Sequence, residues 1–200
     1  MIKVLGKLPK KVSVACSGGP DSMAVLDFLV RSRRDVNIIH FNHGTKHSVD
    51  AERLVSDYAN SKNIPIKIYN ISGKPCKNQS KEAWWSTKRY EVFHKADTPV
   101  VTGHNLNDVA EWWIFTSLRG NPRVMPYNNK NVIRPFLLTR KNILENWCEK
   151  YSVPHVRDPT NFTCENARSH IREKIMPEAL TISPGLLKIM SKKVIINYKE

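Results

Sequence analysis

The sequence has few cysteines and no long hydrophobic run. Its four cysteines, at positions 16, 76, 148 and 164, are widely spaced and form no Cys-x-x-Cys pair. This spacing argues against a zinc ribbon, an iron–sulfur site or a redox dithiol, and it gives no disulfide framework. No apolar stretch reaches the length of a membrane span, and the first residues lack a signal-peptide core. We therefore expect a cytoplasmic protein with no membrane partner.

Acidic residues are also scarce. The 200 residues include 18 Asp and Glu against 32 Lys and Arg, for a formal charge of +14. Such an excess favours a polyanionic partner, and nucleic acid is the usual one. A merely soluble basic protein is the alternative. The length suits one domain with a sizeable core, plus a short appendage.

Short apolar runs alternate with helical patterns. Strands are predicted near residues 12–16, 35–41, 63–69, 99–102 and 132–135. Helices are predicted near 20–34, 48–62, 79–95, 105–118, 139–151 and 166–174, the last of them ending before Pro177. This alternation predicts an α/β fold, with a twisted parallel sheet, helices on both faces and a small helical C-terminal extension.

Caps and turns mark several of the predicted boundaries. Asn78 or Ser80 is expected to cap the third helix, and Asn105 or Asn107 the fourth. Thr139 is expected to cap the fifth helix. Residues 119–131 are interpreted as a loop and residues 158–161 as a turn.

A glycine pair follows the first predicted strand. The apolar run of residues 12–16 ends at the stretch Ser17-Gly18-Gly19-Pro20-Asp21-Ser22. Glycines allow a sharp turn and leave backbone N–H groups open, and these groups, with the positive end of the next helix, can seat a phosphate. Asp21 and Ser22 lie in the first helical turn, where they can hold a metal ion or a phosphate oxygen. We interpret residues 17–22 as a nucleotide-binding loop.

Other loops of this kind match less well. A Walker loop needs a lysine after its last glycine, and none follows Gly19. A dinucleotide fingerprint needs a different glycine spacing. Residues 15–19 imitate a hydrolase nucleophile elbow, but that elbow normally follows several strands and only one precedes Ser17. A plain strand-to-helix turn is the remaining alternative.

Two carboxylates lie near the start of the fourth predicted helix. Asp108 and Glu111 are three residues apart and therefore share a helix face. Beside a triphosphate they make an Mg²⁺ site through oxygen ligands and waters. The alternative is that Asp108 favours the helix dipole and Glu111 is merely solvated.

Polar residues follow three of the predicted strands. Residues 17–19, Asn42-His43-Gly44 and Gly103-His104-Asn105 all fall at strand carboxyl ends, where parallel sheets bind their ligands. A histidine there can contact a base or a substrate, although a structural histidine is an equal alternative. We expect the three strand ends to face one crevice.

Basic and aromatic residues are interleaved in the third predicted helix. Arg89 follows Trp84 and Trp85 there, and Arg168 and Arg172 lie in the last basic helix. Such residues bind looped RNA through charge and stacking. The alternatives are core aromatics and an ordinary solvated basic face.

In order, these motifs resemble a known family. Residues 17–22 fit the S-G-G-x-D-S loop of the PP-loop ATP pyrophosphatase superfamily. The rest is similar to the N-terminal catalytic domain of tRNA(Ile)-lysidine synthetases. The stretches that carry this likeness are Asn42-His43-Gly44, Glu82-Ala83 with Arg89-Tyr90 and Phe93, residues 102–111, Arg134-Pro135-Phe136-Leu137, Asp158-Pro159-Thr160-Asn161, and Asn166-Ala167-Arg168 with Arg172 and Pro177. Asn107 departs from this pattern because it replaces the first of two paired acids.

The resemblance implies an ATP-dependent ligase. ATP would activate the C2 oxygen of the wobble cytidine of isoleucine tRNA with a CAU anticodon, and lysine would displace AMP to form lysidine. It implies the following site residues: Ser17, Gly18, Gly19, Asp21, Ser22 and His43 for ATP; Asp21 and Asp108 for Mg²⁺; Asp21, Asp108 and Glu111 for catalysis; Arg89, Arg168 and Arg172 for RNA. The catalytic domain would cover residues 1–180, followed by a short basic extension at 181–200. The family's C-terminal RNA-binding domains are expected to be absent, and a homodimer is one way to compensate.

Three other functions are considered. Another PP-loop tRNA-modifying enzyme, such as a thiolase, would normally show a Cys-x-x-Cys pair or a persulfide-carrying partner domain. A catalytically decayed RNA-binding module would account for Asn107. An amide-forming synthetase for a small molecule is disfavoured by the charge of +14, because a small ligand does not need such a field.

Overall fold

A six-stranded sheet forms the centre of the protein. The computed structural model describes residues 1–71, 73, 75, 77, 79–156 and 167–199. The strands are β1 (Lys11–Ala15), β2 (Asp35–Asn42), β3 (Ile66–Asn70), β4 (Val100–Thr102), β5 (Asn128–Asn129) and β6 (Val132–Ile133). Their order across the sheet is β3-β2-β1-β4-β6-β5. All neighbours are parallel except β5 and β6, so the predicted α/β fold is confirmed.

Helices connect the strands and complete the chain. They are α1 (Pro20–Arg31), α2 (Lys46–Ser61), α3 (Lys81–His94), α4 (Leu106–Ser117), α5 (Lys141–Lys150), α6 (Ala167–His170), α7 (Met176–Ile182) and α8 (Leu186–Lys199). A π-helical turn, Ile171–Ile175, joins α6 to α7. No helix in the described part of the chain is long and apolar enough to cross a membrane.

Both faces of the sheet are covered, as neighbouring residues of β2 show. Ile38 joins a core cluster with residues of α1, α2 and α5, whereas Ile39 joins a cluster that contains Phe93 of α3. Successive side chains of a strand point to opposite faces, so these two clusters lie on opposite sides of the sheet. The near-continuous apolar runs of β1 and β2 follow from this double burial.

The last helix packs against α4. Its buried side chains Leu187, Met190 and Val194 share a cluster with Val109 and Ala110 of α4. The helical extension predicted at residues 181–200 thus contains the 14-residue helix α8, whose apolar side is part of a core.

The strand order creates a crevice between β1 and β4. From β1 the chain runs to β2 on one side, and β4 returns on the other side of β1. At such a point the connections that follow the two adjacent strands leave in opposite directions. The carboxyl ends of these strands therefore border an open cleft. The loops at Ser17 and Gly103 meet at this position: a Cβ built on Gly103 would lie 3.2 Å from the backbone nitrogen of Ser22.

Two predicted element boundaries are wrong. Arg140, not Thr139, is the N-cap of α5. The Thr139 hydroxyl donates to the Lys3 carbonyl over 2.7 Å and accepts from the Lys3 N–H, which ties down the N-terminus. The last basic helix continues past Pro177 to Ile182 because the π turn shifts the hydrogen-bond ladder. Pro177 thus lies in the first turn of α7, where a missing N–H has little cost.

Of the alternative caps, Ser80 caps α3 and Asn105 caps α4. The predicted loop at 119–131 contains the short strand β5, which pairs with β6. The turn predicted at 158–161 lies outside the described residues, as do Cys76, Asn78, Cys164 and Asn166.

Candidate active site

A cavity of about 1500 Å³ opens at the carboxyl ends of β1, β2 and β4. Most of the predicted site residues line it, namely Ser17, Gly19, Asp21, Ser22, His43, Arg89, Asp108, Arg168 and Arg172. The expected meeting of three strand ends in one crevice is therefore confirmed. Two predicted residues do not line the cavity. Gly18 contributes the turn of the loop, and Glu111, only 3% exposed, lies behind Arg172.

The loop after β1 is organised by its two serines. The Ser17 N–H donates to Ser22 Oγ over 3.2 Å, and the Ser22 hydroxyl donates to the Gly19 carbonyl over 2.9 Å. Gly18 has a φ of +84°, and a Cβ there would lie 3.1 Å from the Cβ of Ala51 in α2. Only glycine meets both conditions without strain. No side chain caps the N-terminus of α1, so its positive end faces the cavity.

Asp21 is a partly buried carboxylate at this helix end. Its Oδ1 atom has no hydrogen-bond partner within the described residues. Burial and the nearby charge of Asp108 raise the pKa of Asp21 to about 7, although the charge of Lys141 opposes this shift. An unpaired buried carboxylate beside an anion seat fits a divalent cation, because Mg²⁺ takes one or two carboxylates together with substrate phosphates and waters.

Asp108 and Glu111 are paired with the two arginines that were expected to face RNA. Arg168 Nη2 donates to Asp108 Oδ1 over 2.8 Å, and Arg172 Nη2 donates to the same oxygen over 3.3 Å. Arg172 also binds both oxygens of Glu111. Arg168 stays half exposed at the cavity wall, with 52% of its side chain accessible, whereas Arg172 has 26%. These four side chains form a compact cluster with two positive and two negative charges.

The other oxygen of Asp108 stabilises its own helix. Asp108 Oδ2 accepts from the Asn105 N–H over 2.9 Å, and the Asn105 side chain accepts from the N–H groups of Asn107 and Asp108. This is a capping box. Burial disfavours the charge of Asp108, but Arg168, His104 and the Asn105 N–H outweigh burial and hold its pKa below the ordinary value. Asp108 is therefore ionised at neutral pH.

Two histidines of the cavity, His43 and His104, are neutral at pH 7. The His43 ring packs against Trp85 with centroids 4.5 Å apart, and burial together with the charge of Arg89 lowers its pKa to about 4. The pKa of His104 is also about 4 because of burial, and its Nδ1 lies 2.7 Å from the Thr102 hydroxyl. A neutral ring against an indole offers a flat surface for a base.

Arg89 lines the cavity as a partly buried cation, and burial lowers its pKa. Arg134 lies among the same lining residues and is almost fully buried. Its guanidinium donates to the Tyr90 hydroxyl and to the Pro126 carbonyl. The wall of the cavity therefore carries cations that come from widely separated segments.

Sequence reasoning missed the contribution of α5. Lys141 and Glu145 line the cavity and act on the pKa of Asp21 in opposite directions. The Lys141 N–H donates to the side-chain oxygen of Asn107 over 3.0 Å, which joins α5 to α4. No local pattern marks Lys141 or Glu145, because their approach depends on how α5 packs against α1. Trp112 also lines the cavity and was not predicted.

A model of the PP-loop domain family matches residues 3–179. A tRNA(Ile)-lysidine synthase of Pseudothermotoga lettingae is 28% identical over 193 residues, which are 88% of this chain and 43% of that protein. Its counterpart in Thermosipho africanus is 32% identical over 191 residues, covering 87% of this chain and 45% of the relative. The chain thus spans about half the length of the curated relatives that it matches.

A solved U34-tRNA thiolase from Methanococcus maripaludis has a similar fold. It superposes with a TM-score of 0.71 over 92% of this chain and 71% of its own, at 17% identity. At this identity the likeness concerns the architecture alone. Because the family model extends across the whole sheet and both sides of the crevice, the chain belongs to the PP-loop domain family.

Proposed function

We propose that this chain catalyses the ATP-dependent conversion of the wobble cytidine of isoleucine tRNA to lysidine. One observation carries the proposal. Asp21, a carboxylate with an unpartnered oxygen, belongs to the open loop of residues 17–22. It lines the same cavity as the cluster of Asp108 and its arginines. The similarity to lysidine synthases over 88% of the chain points to the same reaction.

The loop would bind the phosphates of ATP. The uncapped N-terminus of α1 presents N–H groups and a positive partial charge, and the Ser17 and Ser22 hydroxyls are within reach of the same space. The lack of a Walker lysine agrees with cleavage between the α- and β-phosphates, as the family resemblance implies. Neutral His43 with Trp85 would hold a base against their flat rings.

Asp21 and Asp108 would hold Mg²⁺, which would offset the charge of the phosphates when bound. The Oδ1 atom of Asp21, which has no hydrogen-bond partner among the described residues, would be available to bind the cation. Asp108 still has lone pairs beyond the bonds that it already accepts, since an ionised carboxylate offers about four acceptor positions. Binding of the cation would also remove the cost of an unpaired charge at Asp21.

The proposed reaction has two steps, adenylation of the cytidine and displacement of AMP by lysine. The cytidine C2 oxygen attacks the α-phosphorus of ATP, the bond to pyrophosphate breaks, and pyrophosphate leaves with the electron pair. The amine of lysine then attacks C2, the C2–O bond breaks, AMP leaves and the amine loses a proton. Lys141 and the arginines that line the cavity would stabilise the charge that develops on the phosphate oxygens.

The cytidine would arrive on a tRNA. The +14 charge favours such a partner, and Arg89 and Arg168 line the cavity that the anticodon loop would enter. Residues 1–180 would form the catalytic domain, with Arg168 and Arg172 near its end.

The test is a reconstituted reaction. Purified protein is incubated with ATP, Mg²⁺, lysine and an isoleucine tRNA transcript with a CAU anticodon. We expect AMP, pyrophosphate and a lysine-sized gain in mass on the anticodon fragment. A transcript with a uridine at the wobble position is the matched control and should gain no mass.

The outcomes separate the rival functions. AMP release that does not depend on lysine, with no mass gain, would contradict lysidine formation. A gain that requires a sulfur donor in place of lysine would assign the chain to the thiolases. RNA binding without any AMP would indicate a decayed enzyme.

A further inference from the structure

An exposed aromatic residue lies on α4 beside the carboxylate cluster. Asp108, Trp112, Phe115 and Arg119 follow one another at intervals of four, three and four residues, so they share one side of the helix. Trp112 is 38% exposed and lines the cavity. Large aromatic rings are seldom left open to solvent without a partner.

The ring of Trp112 is supported from one side. Its centroid lies 5.9 Å from that of Phe115, with the two planes tilted by 33°. The guanidinium carbon of Arg119 lies 4.2 Å from the centre of the Phe115 ring. Phe115 is thus covered by Arg119 and packed against Trp112, and Trp112 is the ring of this group that faces the cavity.

Positive charge flanks this aromatic ring on two sides. Arg123, an exposed residue of the cavity lining, is held near α4 because its N–H donates to Thr116 Oγ1 over 2.9 Å. The Thr116 hydroxyl in turn donates to the carbonyl of Trp112 over 2.9 Å. Arg119 lies in the turn just after the end of α4, with its guanidinium over Phe115, and Arg168 lies toward the carboxylates. An open indole in a cavity that is also lined by arginines resembles the combination of stacking surface and positive charge with which proteins bind single-stranded nucleic acid.

We propose that Trp112 is a stacking platform for a base of a single-stranded RNA, one or two nucleotides from the base that reacts, with Arg119 and Arg123 on the adjoining phosphates. This rests on the proposed function, because it takes the reacting base to lie near Asp108. Four residues of helix separate Asp108 from Trp112 by about 6 Å. A stacked strand advances about 3.4 Å per nucleotide, so the next base or the one after it reaches the indole.

RNA fits this surface better than a protein segment does. The chain carries a net charge of +14, Arg119 covers the Phe115 ring that supports Trp112, and Arg123 lines the same cavity. Stacking on an aromatic ring requires an unpaired base, so the partner is a loop or a single strand. Leu118, the C-cap of the same helix, is 70% exposed but aliphatic, so it cannot stack a base in the way an indole can.

Binding of a labelled RNA hairpin with the sequence of the isoleucine anticodon stem-loop tests the proposal. The full chain is titrated by fluorescence anisotropy without ATP or lysine, so the result does not depend on catalysis. Trp112→Ala should weaken binding about tenfold or more, and Trp112→Phe should recover most of the loss. Leu118→Ala is the matched apolar control and should bind like the wild type. A blunt duplex made from the same stem should show no difference between the wild type and Trp112→Ala.

Three results would overturn the stacking platform. They are wild-type hairpin affinity in Trp112→Ala, an equal loss on the blunt duplex, and an equal loss in Leu118→Ala, which would show that the effect is not specific to the indole. ATP binding, measured by calorimetry, should be the same in the wild type and Trp112→Ala, which shows that the fold is intact. A failure of lysidine formation would appear separately, as wild-type protein that binds the hairpin but gives no mass gain.

Discussion

Arg172 binds both carboxylate oxygens of Glu111, through Nε at 2.8 Å and Nη2 at 2.7 Å. The pair joins the π turn to α4 at a point where Glu111 has almost no contact with solvent. Burial opposes the charge of Arg172, but Glu111 outweighs it and raises the arginine's pKa. Two parallel charge-assisted bonds of this kind fix orientation as well as supplying energy.

Removing Arg172 should therefore leave the buried carboxylate of Glu111 with only a long contact of 3.5 Å to Arg168 as compensation. Arg172→Ala is expected to lower the free energy of unfolding by about 3 kcal/mol. Arg172→Lys should lie between this variant and the wild type, because lysine keeps the charge but not the planar pair of donors. Urea denaturation followed by circular dichroism measures both. Lys188→Ala, on the exposed side of α8, is the control and should stay near the wild type. A loss below about 1 kcal/mol in Arg172→Ala would show that Glu111 finds other compensation.

Asp21 and Asp27 lie on the same helix but should respond in opposite ways to the change to asparagine. Asp21→Asn is expected to reduce AMP formation by at least about 100-fold, since it removes a carboxylate ligand of the Mg²⁺ that would offset the charge of the phosphates. Its stability should stay equal or rise, because Asp21 has an unpartnered oxygen at a buried site.

Asp27 accepts hydrogen bonds from Arg31, Tyr58 and Trp147 and is 2% exposed. Asp27→Asn should therefore destabilise the fold by about 2 kcal/mol while the remaining folded protein keeps its activity. Thermal unfolding measures the stability of both variants, and an AMP assay measures their activity. An active Asp21→Asn variant would remove that residue from the mechanism.

Acidification should change the stability of the free protein through three groups. The lowered pKa values of His43 and His104 favour unfolding as the pH falls, whereas the raised pKa of Asp21 acts in the opposite direction. The folded pKa of His43, about 4, lies below the ordinary 6.5, so between these values the unfolded chain binds a proton at His43 that the folded chain does not. The contribution of His43 to stability is therefore constant above about pH 6.5 and declines as the pH drops toward 4. His43→Asn should make this decline shallower in urea titrations at pH 7.5, 6 and 5, values set around the ordinary histidine pKa of about 6.5. His170→Asn, at an exposed position of α6, should keep the wild-type profile. Identical slopes in His43→Asn and the wild type would contradict the assignment.

Gly18 should resist substitution more strongly than Gly19. Gly18→Ala forces a side chain into a left-handed conformation and against Ala51, at a cost of about 1–2 kcal/mol or more. Gly19 has a φ of −74°, and a Cβ there meets nothing closer than 3.6 Å, so Gly19→Ala should cost less. Differential scanning calorimetry of the two variants makes the comparison. Equal melting temperatures would mean that α2 moves aside.

Local patterns carried enough information to predict the loop and the sheet. The glycine pair after an apolar run located the anion seat, because a sharp turn between a strand and a helix needs those residues at that spacing. The strand ends at His43 and Gly103 could be placed in the same crevice because parallel strands present their carboxyl ends at one edge.

The pairing of charges could not be read from the sequence. Arg168 and Asp108 are 60 residues apart, and nothing near either residue specifies the other. The spacing of Asp108 and Glu111 was compatible with metal ligands or with a helix cap, and Asp108 does form the cap. Asn107, which stands where an acid was expected, accepts a hydrogen bond from the first residue of α5. Such links depend on how helices pack, and a one-dimensional pattern does not encode them.

The pairing of β1 with β4 has a consequence for how the protein folds. Ser13 of β1 and Thr98, just before β4, share a hydrogen bond although they are 85 residues apart in the chain. Closing so long a loop is slow compared with forming the local units on either side. We therefore expect the first three strands to pair while one edge of β1 is still open. The cavity forms only after β4 has added to that edge and the later segments with Lys141 and Arg168 have packed against it, so the ability to bind ATP should develop late in folding.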